Sequence, residues 1–150
     1  MSPAHEAYQR QIEALRRAFG PKLMGYFADR TVVEIMVNPD GGLWVERAGD
    51  GMIREGDVSA TQATAIINTA AALVGAVVNA DAPVLECELP NGGSEFGGAR
   101  MEALVPPAVA APAFAVRKKA EMVFTLDDYV ARGIMSAAQR QAIVKAVEAR

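Results

Sequence analysis

Apolar residues recur along this chain with two periods, and the switches between them mark out its elements. Tyr8, Ile12, Leu15 and Phe19 fall at i, i+4, i+7 and i+11, which is one face of a helix. Ser2 stands where an N-cap belongs and Pro3 at the first helical position, while Gly20-Pro21 ends the run. "KLMGYFAD" predicts a short second helix. The period then drops to two. Val33, Ile35 and Val37 alternate with Glu34 and Met36, "NPDGG" turns the chain, and Leu43 to Arg47 returns. "AGDG" turns it again before "MIRE", so residues 32–55 read as an antiparallel meander.

Ser59 with Gln62 predicts a capping box. Ala63, Ile66, Ile67, Ala70, Leu73, Val74 and Val77 follow at helical spacing, predicting about five turns that "NADAP" stops. Val84 to Leu89, "ARMEALV" and "AFAVRKK" read as strands, with "PNGGSEFGG" and a proline-broken stretch as their connections. Thr125 with Asp128, and Ser136 with Gln139, each open a helix, and Gly133 separates the two. Hairpins outnumber parallel crossovers in this order. The predicted class is α+β, an antiparallel sheet with helices packed on one side.

Composition narrows the function. The chain has 150 residues, 51% of them hydrophobic, which suffices for one folded domain with a real core. The net charge of −3 argues against a nucleic-acid binder acting by bulk electrostatics. The stretch "ATAIINTAAALVGAVVNA" has the length of a membrane span, but Thr64, Asn68, Thr69 and Asn79 make it a poor one, so it reads as a core helix. Cys87 is the single cysteine and reads as a small buried apolar residue, in a chain whose low cysteine use fits a reducing compartment. His5, the single histidine, is remote from it in sequence.

The candidate chemistry centres on "PNGGSEFGGAR", residues 90–100. Gly92 and Gly97 have the glycine spacing of a Walker loop, but Gly98 and Ala99 follow where lysine and a hydroxyl are required. A strand pattern, not a helix, comes next, so the loop reads as a turn. Arg100 opens the following strand and Arg117 closes the last one. Two planar guanidiniums at one edge of a sheet could clamp a phosphate. They could equally be solvated arginines paired with Glu102 or Glu121, and spacing alone favours that simpler reading. No catalytic residue set and no metal-ligand spacing is visible. Glu86 and Glu88 fit an exposed sheet face, Asp127-Asp128 a helix start, and Trp44 packing in the sheet.

"EIMVNPDGGLWVER", "LPNGGSEFGGARMEALVPPAVAAPAFAVRKKA" and "VFTLDDYVARGIMS" together resemble the N-terminal domain of the TrbB-type conjugal-transfer ATPases, relatives of the type IV and type II secretion ATPases. The resemblance runs from about residue 20 to Arg150 and is most specific from Arg100 through "PP" to "RKKA". It implies a PAS-like domain joined to a RecA-like P-loop ATPase, with ATP and Mg²⁺ in the cleft between them. It implies a cytoplasmic homo-hexamer, peripheral to the inner membrane, that powers conjugation together with the secretion machinery. It places Arg100 and Arg117 on the nucleotide's terminal phosphates. It divides the chain into an N-terminal helical segment (1–30), the α+β domain (31–135) and a C-terminal helix (136–150) leading to the ATPase core. Walker A is not among these residues, so this chain by itself is expected to bind no cofactor and to be inactive. A different class of function also fits: a stand-alone PAS-like sensory or protein-interaction module.

Overall fold

The computed structural model describes residues 3–120 and 124–149. They belong to two compact units, Met1–Lys119 and Ala120–Arg150. In the first unit, helix α1 (Pro3–Ala28) is interrupted at Gly20, whose φ of 72° and ψ of 170° turn the chain out of the helix just before Pro21. The two predicted helices are therefore both present, joined by that break; the Ser2 cap lies outside the described residues. The break releases carbonyls. Gln62 Nε2 donates to those of Phe19 (3.0 Å) and Ala18 (3.3 Å).

That use of Gln62 alters its predicted role. Ser59 Oγ accepts from the Gln62 backbone N–H at the start of helix α2 (Ala60–Leu73), but the Gln62 side chain serves α1 and does not close a capping box. Helix α2 is also shorter than predicted. Gly75, at φ 68°, donates to the Ala72 carbonyl, and Ala76 donates to that of Ala71, a Schellman ending. Glycine in the left-handed region thus stops the helix at Leu73, ahead of "NADAP", and leaves Val74 and Val77 exposed.

Six strands form one sheet: β1 (Val32–Val37), β2 (Gly42–Arg47), β3 (Gly51–Asp57), β4 (Val84–Glu88), β5 (Arg100–Leu104) and β6 (Ala113–Arg117). Their order is β3-β2-β1-β6-β5-β4, and every neighbouring pair is antiparallel. The α+β class, with helices on one side, is what the alternation predicts. Ile35, Val37, Leu43, Val45, Leu85, Met101, Phe114 and Val116 are buried on the inner face, with Leu15, Phe19 and Leu23 of α1 and Ile66 and Ile67 of α2. Four rings close the middle of this core: Phe19 lies 5.1 Å from Phe27, 5.7 Å from Phe96 and 6.2 Å from Phe114, centre to centre. Among the described residues no helix is long and apolar enough to cross a membrane. The alanine-rich stretch is spent on α2, which turns Ala63, Ile66, Ile67 and Ala70 into the core.

The second unit holds helices α3 (Leu126–Ala131) and α4 (Ala137–Glu148). Both predicted capping boxes are complete, Thr125 with Asp128 and Ser136 with Gln139. Backbone and side-chain hydrogen bonds from Thr125 hold the Asp128 carboxyl below its ordinary pKa. Gly133, at φ 70°, ends α3, and Arg140 pairs with Asp127 at 2.7 Å. Arg132 lies over the Phe124 ring, 4.4 Å from its centre.

Candidate functional site

The other face of the sheet carries the charges. Strand register sets one row of directly opposed residues across it: Glu88, Arg100, Arg117, Glu34 and Glu46, on β4, β5, β6, β1 and β2. The next row holds Glu86, Glu102, Ala115, Met36 and Trp44. Trp44 is half-buried on this outer face, its indole beside Gly42, and is not part of the core. Over the β4-β5-β6 part lies an open hollow of about 750 Å³, lined among others by Glu34, Glu88, Arg100, Arg117 and Lys119.

Arg100 and Arg117 are therefore immediate neighbours, on interior strands at one end of the sheet. Directly opposed side chains in an antiparallel pair start about 5 Å apart, and like charges there destabilise the pairing. Both arginines are exposed. The carboxylate facing Arg117 is Glu34, at 3.5 Å, and not Glu102, which sits opposite Ala115; Glu121 lies outside the described residues. At 75% exposure of the arginine side chain, that pair contributes at most about 1 kcal/mol. Arg100 is opposite Glu88. Lys119 donates to Glu88 at 2.6 Å, and that hydrogen bond and charge, with a smaller contribution from Arg100, hold the Glu88 carboxyl below its ordinary pKa.

The glycine-rich segment between β4 and β5 is a folded turn. Leu89 donates to Ala99, Gly98 to Pro90, Gly97 to Ser94 and Ala99 to Phe96, so these N–H groups are spent internally. Phe96 is buried against Phe19 and Phe27, and Glu95 pairs with Arg16 of α1. The turn plugs into the core and presents Arg100 at its exit. Gly98 has a second reason to lack a side chain. A Cβ there would lie 2.7 Å from Lys119 Nζ and 2.9 Å from Glu88 Oε1, on a backbone at φ +66°. Gly98→Ala is expected to cost about 1–2 kcal/mol in left-handed backbone alone and to part the Glu88–Lys119 pair. Urea unfolding and the Lys119 side-chain NMR signals would report the two effects.

The three basic residues that end the last strand take different jobs. Arg117 and Lys119 are on the outer side. Lys118 goes the other way, donating to the carbonyls of Tyr26 (3.2 Å), Phe27 (2.8 Å) and Asp29 (2.6 Å) at the end of α1. Helix α1 has no basic residue in its own last turn, so Lys118 supplies the cation that a helix C-terminus favours. Motif and spacing alone mark neither Lys118, Lys119 nor Glu34 as special. Period-two reading of "VRKK" beyond the strand end would have separated Lys118 from its neighbours. Cys87 is half-buried and burial pushes its thiol pKa up, in keeping with a packing role. Among the described residues no group of three His, Cys, Asp or Glu could hold a metal ion.

Comparison with known proteins adds a relationship to this geometry. No family model matches the chain. It is 39% identical over 144 residues to the probable conjugal transfer protein TrbB of Sinorhizobium fredii, covering 96% of this chain and 43% of that protein. It is 37% identical over the same extent, with the same coverage, to the conjugal transfer protein TrbB of Rhizobium radiobacter. The chain thus spans less than half the length of these relatives. Its fold matches the crystal structure of the VirB11 ATPase of the Brucella suis type IV secretion system, in complex with sulphate, with a TM-score of 0.72 at 20% identity, over 96% of this chain and 44% of that one.

Proposed function

We propose that this chain, which is similar to TrbB conjugal transfer proteins over 43% of their length, is the N-terminal domain of a traffic ATPase and supplies Arg100 and Arg117 to the terminal phosphates of ATP. The rest of the site, including the P-loop, would come from a RecA-like domain of the full-length protein, which acts as a hexamer at the inner membrane and powers conjugation. The observation that carries this reading is the register of β5 on β6. It sets two exposed arginines at directly opposed positions on the face of the sheet away from α1 and α2, against the repulsion that like charges there produce. A polyphosphate offsets that repulsion, and each guanidinium presents a planar fork suited to phosphate oxygens. Charge building on the transferred phosphoryl group is stabilised by preorganised cations of this kind. Mg²⁺ would be held by the phosphates and the P-loop domain.

The test is ATP turnover of the full-length protein. Arg117→Ala and Arg100→Ala are each expected to lower kcat about tenfold, less than the loss of a lone arginine finger because the neighbour remains. Unchanged circular dichroism and melting would show that the fold is intact. Arg54→Ala, whose partner is Asp57 in the β3 hairpin, is the control and should leave turnover unaltered. Wild-type turnover in both arginine variants would refute the assignment.

A further inference from the structure

We infer that Lys119 is a third phosphate-contacting cation of the same hollow, and that Glu88 is an internal anion that occupies it until phosphate arrives. This rests on the nucleotide-contacting reading above and adds a mode of entry: exchange of Lys119–carboxylate for Lys119–phosphate. Glu88 and Lys119 reach each other from β4 and from the end of β6, across the start of β5. Their pair passes directly over the Cα of Gly98, two residues before Arg100. The ammonium is thus held next to the arginine pair, at the rim of the hollow. Both side chains are more than half exposed, 56% for Lys119 and 58% for Glu88. The carboxylate can therefore swing into water when displaced, at the small cost of an exposed ion pair.

The charge pattern accounts for the selectivity such an exchange would give. Three cations of the hollow, Arg100, Arg117 and Lys119, share it with four carboxylates, Glu34, Glu86, Glu88 and Glu102, of which Glu34 and Glu88 are each engaged with one of these cations. A singly charged anion gains little by replacing a carboxylate already in place. A tri- or diphosphate brings several charges at once and can engage all three cations. Glu88 then acts as a threshold against small anions, and Lys119 becomes a phosphate donor only after that threshold is crossed.

The experiment is a calorimetric titration of this chain with tripolyphosphate at low ionic strength. Wild type is compared with Lys119→Met, Glu88→Gln, the double variant, and Arg117→Ala. Exchange predicts that Glu88→Gln tightens binding by up to about fivefold, the scale of one exposed ion pair, and that Lys119→Met weakens it by a similar factor. It further predicts that Glu88→Gln has no effect once Lys119 is gone. If Glu88→Gln tightens binding equally without Lys119, or if Lys119→Met binds like wild type, the exchange is overturned while the arginine site stands. Binding undiminished by Arg117→Ala overturns the arginine site and the exchange together; no binding by any form of this chain overturns the exchange, and the arginine site is then decided by ATP turnover of the full-length protein. Inorganic phosphate in place of tripolyphosphate is expected to bind measurably only to Glu88→Gln; equal binding to wild type would refute the threshold.

Discussion

Phe19→Ala should destabilise the unit containing the sheet by about 4 kcal/mol, within the range found when a fully buried phenylalanine is truncated. Phe19 is fully buried and packs edge-on against Phe27 and Phe114 and obliquely against Phe96. One ring therefore joins the two halves of α1, strand β6 and the turn that delivers Arg100. Small domains have total stabilities of about 5–15 kcal/mol, so the loss is a large fraction. Part of it exceeds area burial, because edge-to-face aromatic pairs add about 0.5–1.5 kcal/mol each. Urea unfolding should show a lower midpoint at an unchanged slope. A loss under about 1.5 kcal/mol would mean that the four rings do not form the described cluster.

Lys118→Met is the second large effect, expected at about 2–3 kcal/mol. The substitution keeps most of the aliphatic stem and deletes the ammonium. Three carbonyls at the end of α1 then lose their charged donor in a half-buried setting, where each unsatisfied acceptor is costly and the helix dipole adds to the loss. The neighbouring Lys119→Met removes a lysine of the same size from an exposed pair and should cost under about 1 kcal/mol. The contrast between adjacent lysines is the measurement to make. Equal losses would refute the cap.

The strands were legible because their alternation is clean. Ile35 and Val37, Leu85, and Phe114 and Val116 turn inward as the alternation predicts; the exception is Val33, which a bulge between Val32 and Glu34 leaves half-buried while Val32 takes the core position. The length of α2 was not, because Val74 and Val77 continue the apolar spacing while Gly75 ends the helix by a backbone conformation that hydrophobicity does not encode. Gln62 misled for a related reason. A capping-box pattern is local, and the hydrogen-bonding demand that recruited Gln62 arises 43 residues earlier in the chain, at the Gly20 break. For the candidate site, Arg100 and Arg117 were visible as residues, but their adjacency was not. It depends on which strands pair and in what register, across a connection whose length carries no such information. Glu34 and Glu88 became neighbours of these arginines through the same pairing.

The ladder between β5 and β6 has a bearing on how this face tolerates change. The gap between the two guanidinium stems is gauged by main-chain hydrogen bonds, not by the packing of any particular side chain. Relatives that drift widely in their interiors can keep the same bite so long as the pairing holds. A slip of a single position would instead send one stem toward the phenylalanines and abolish the bite outright.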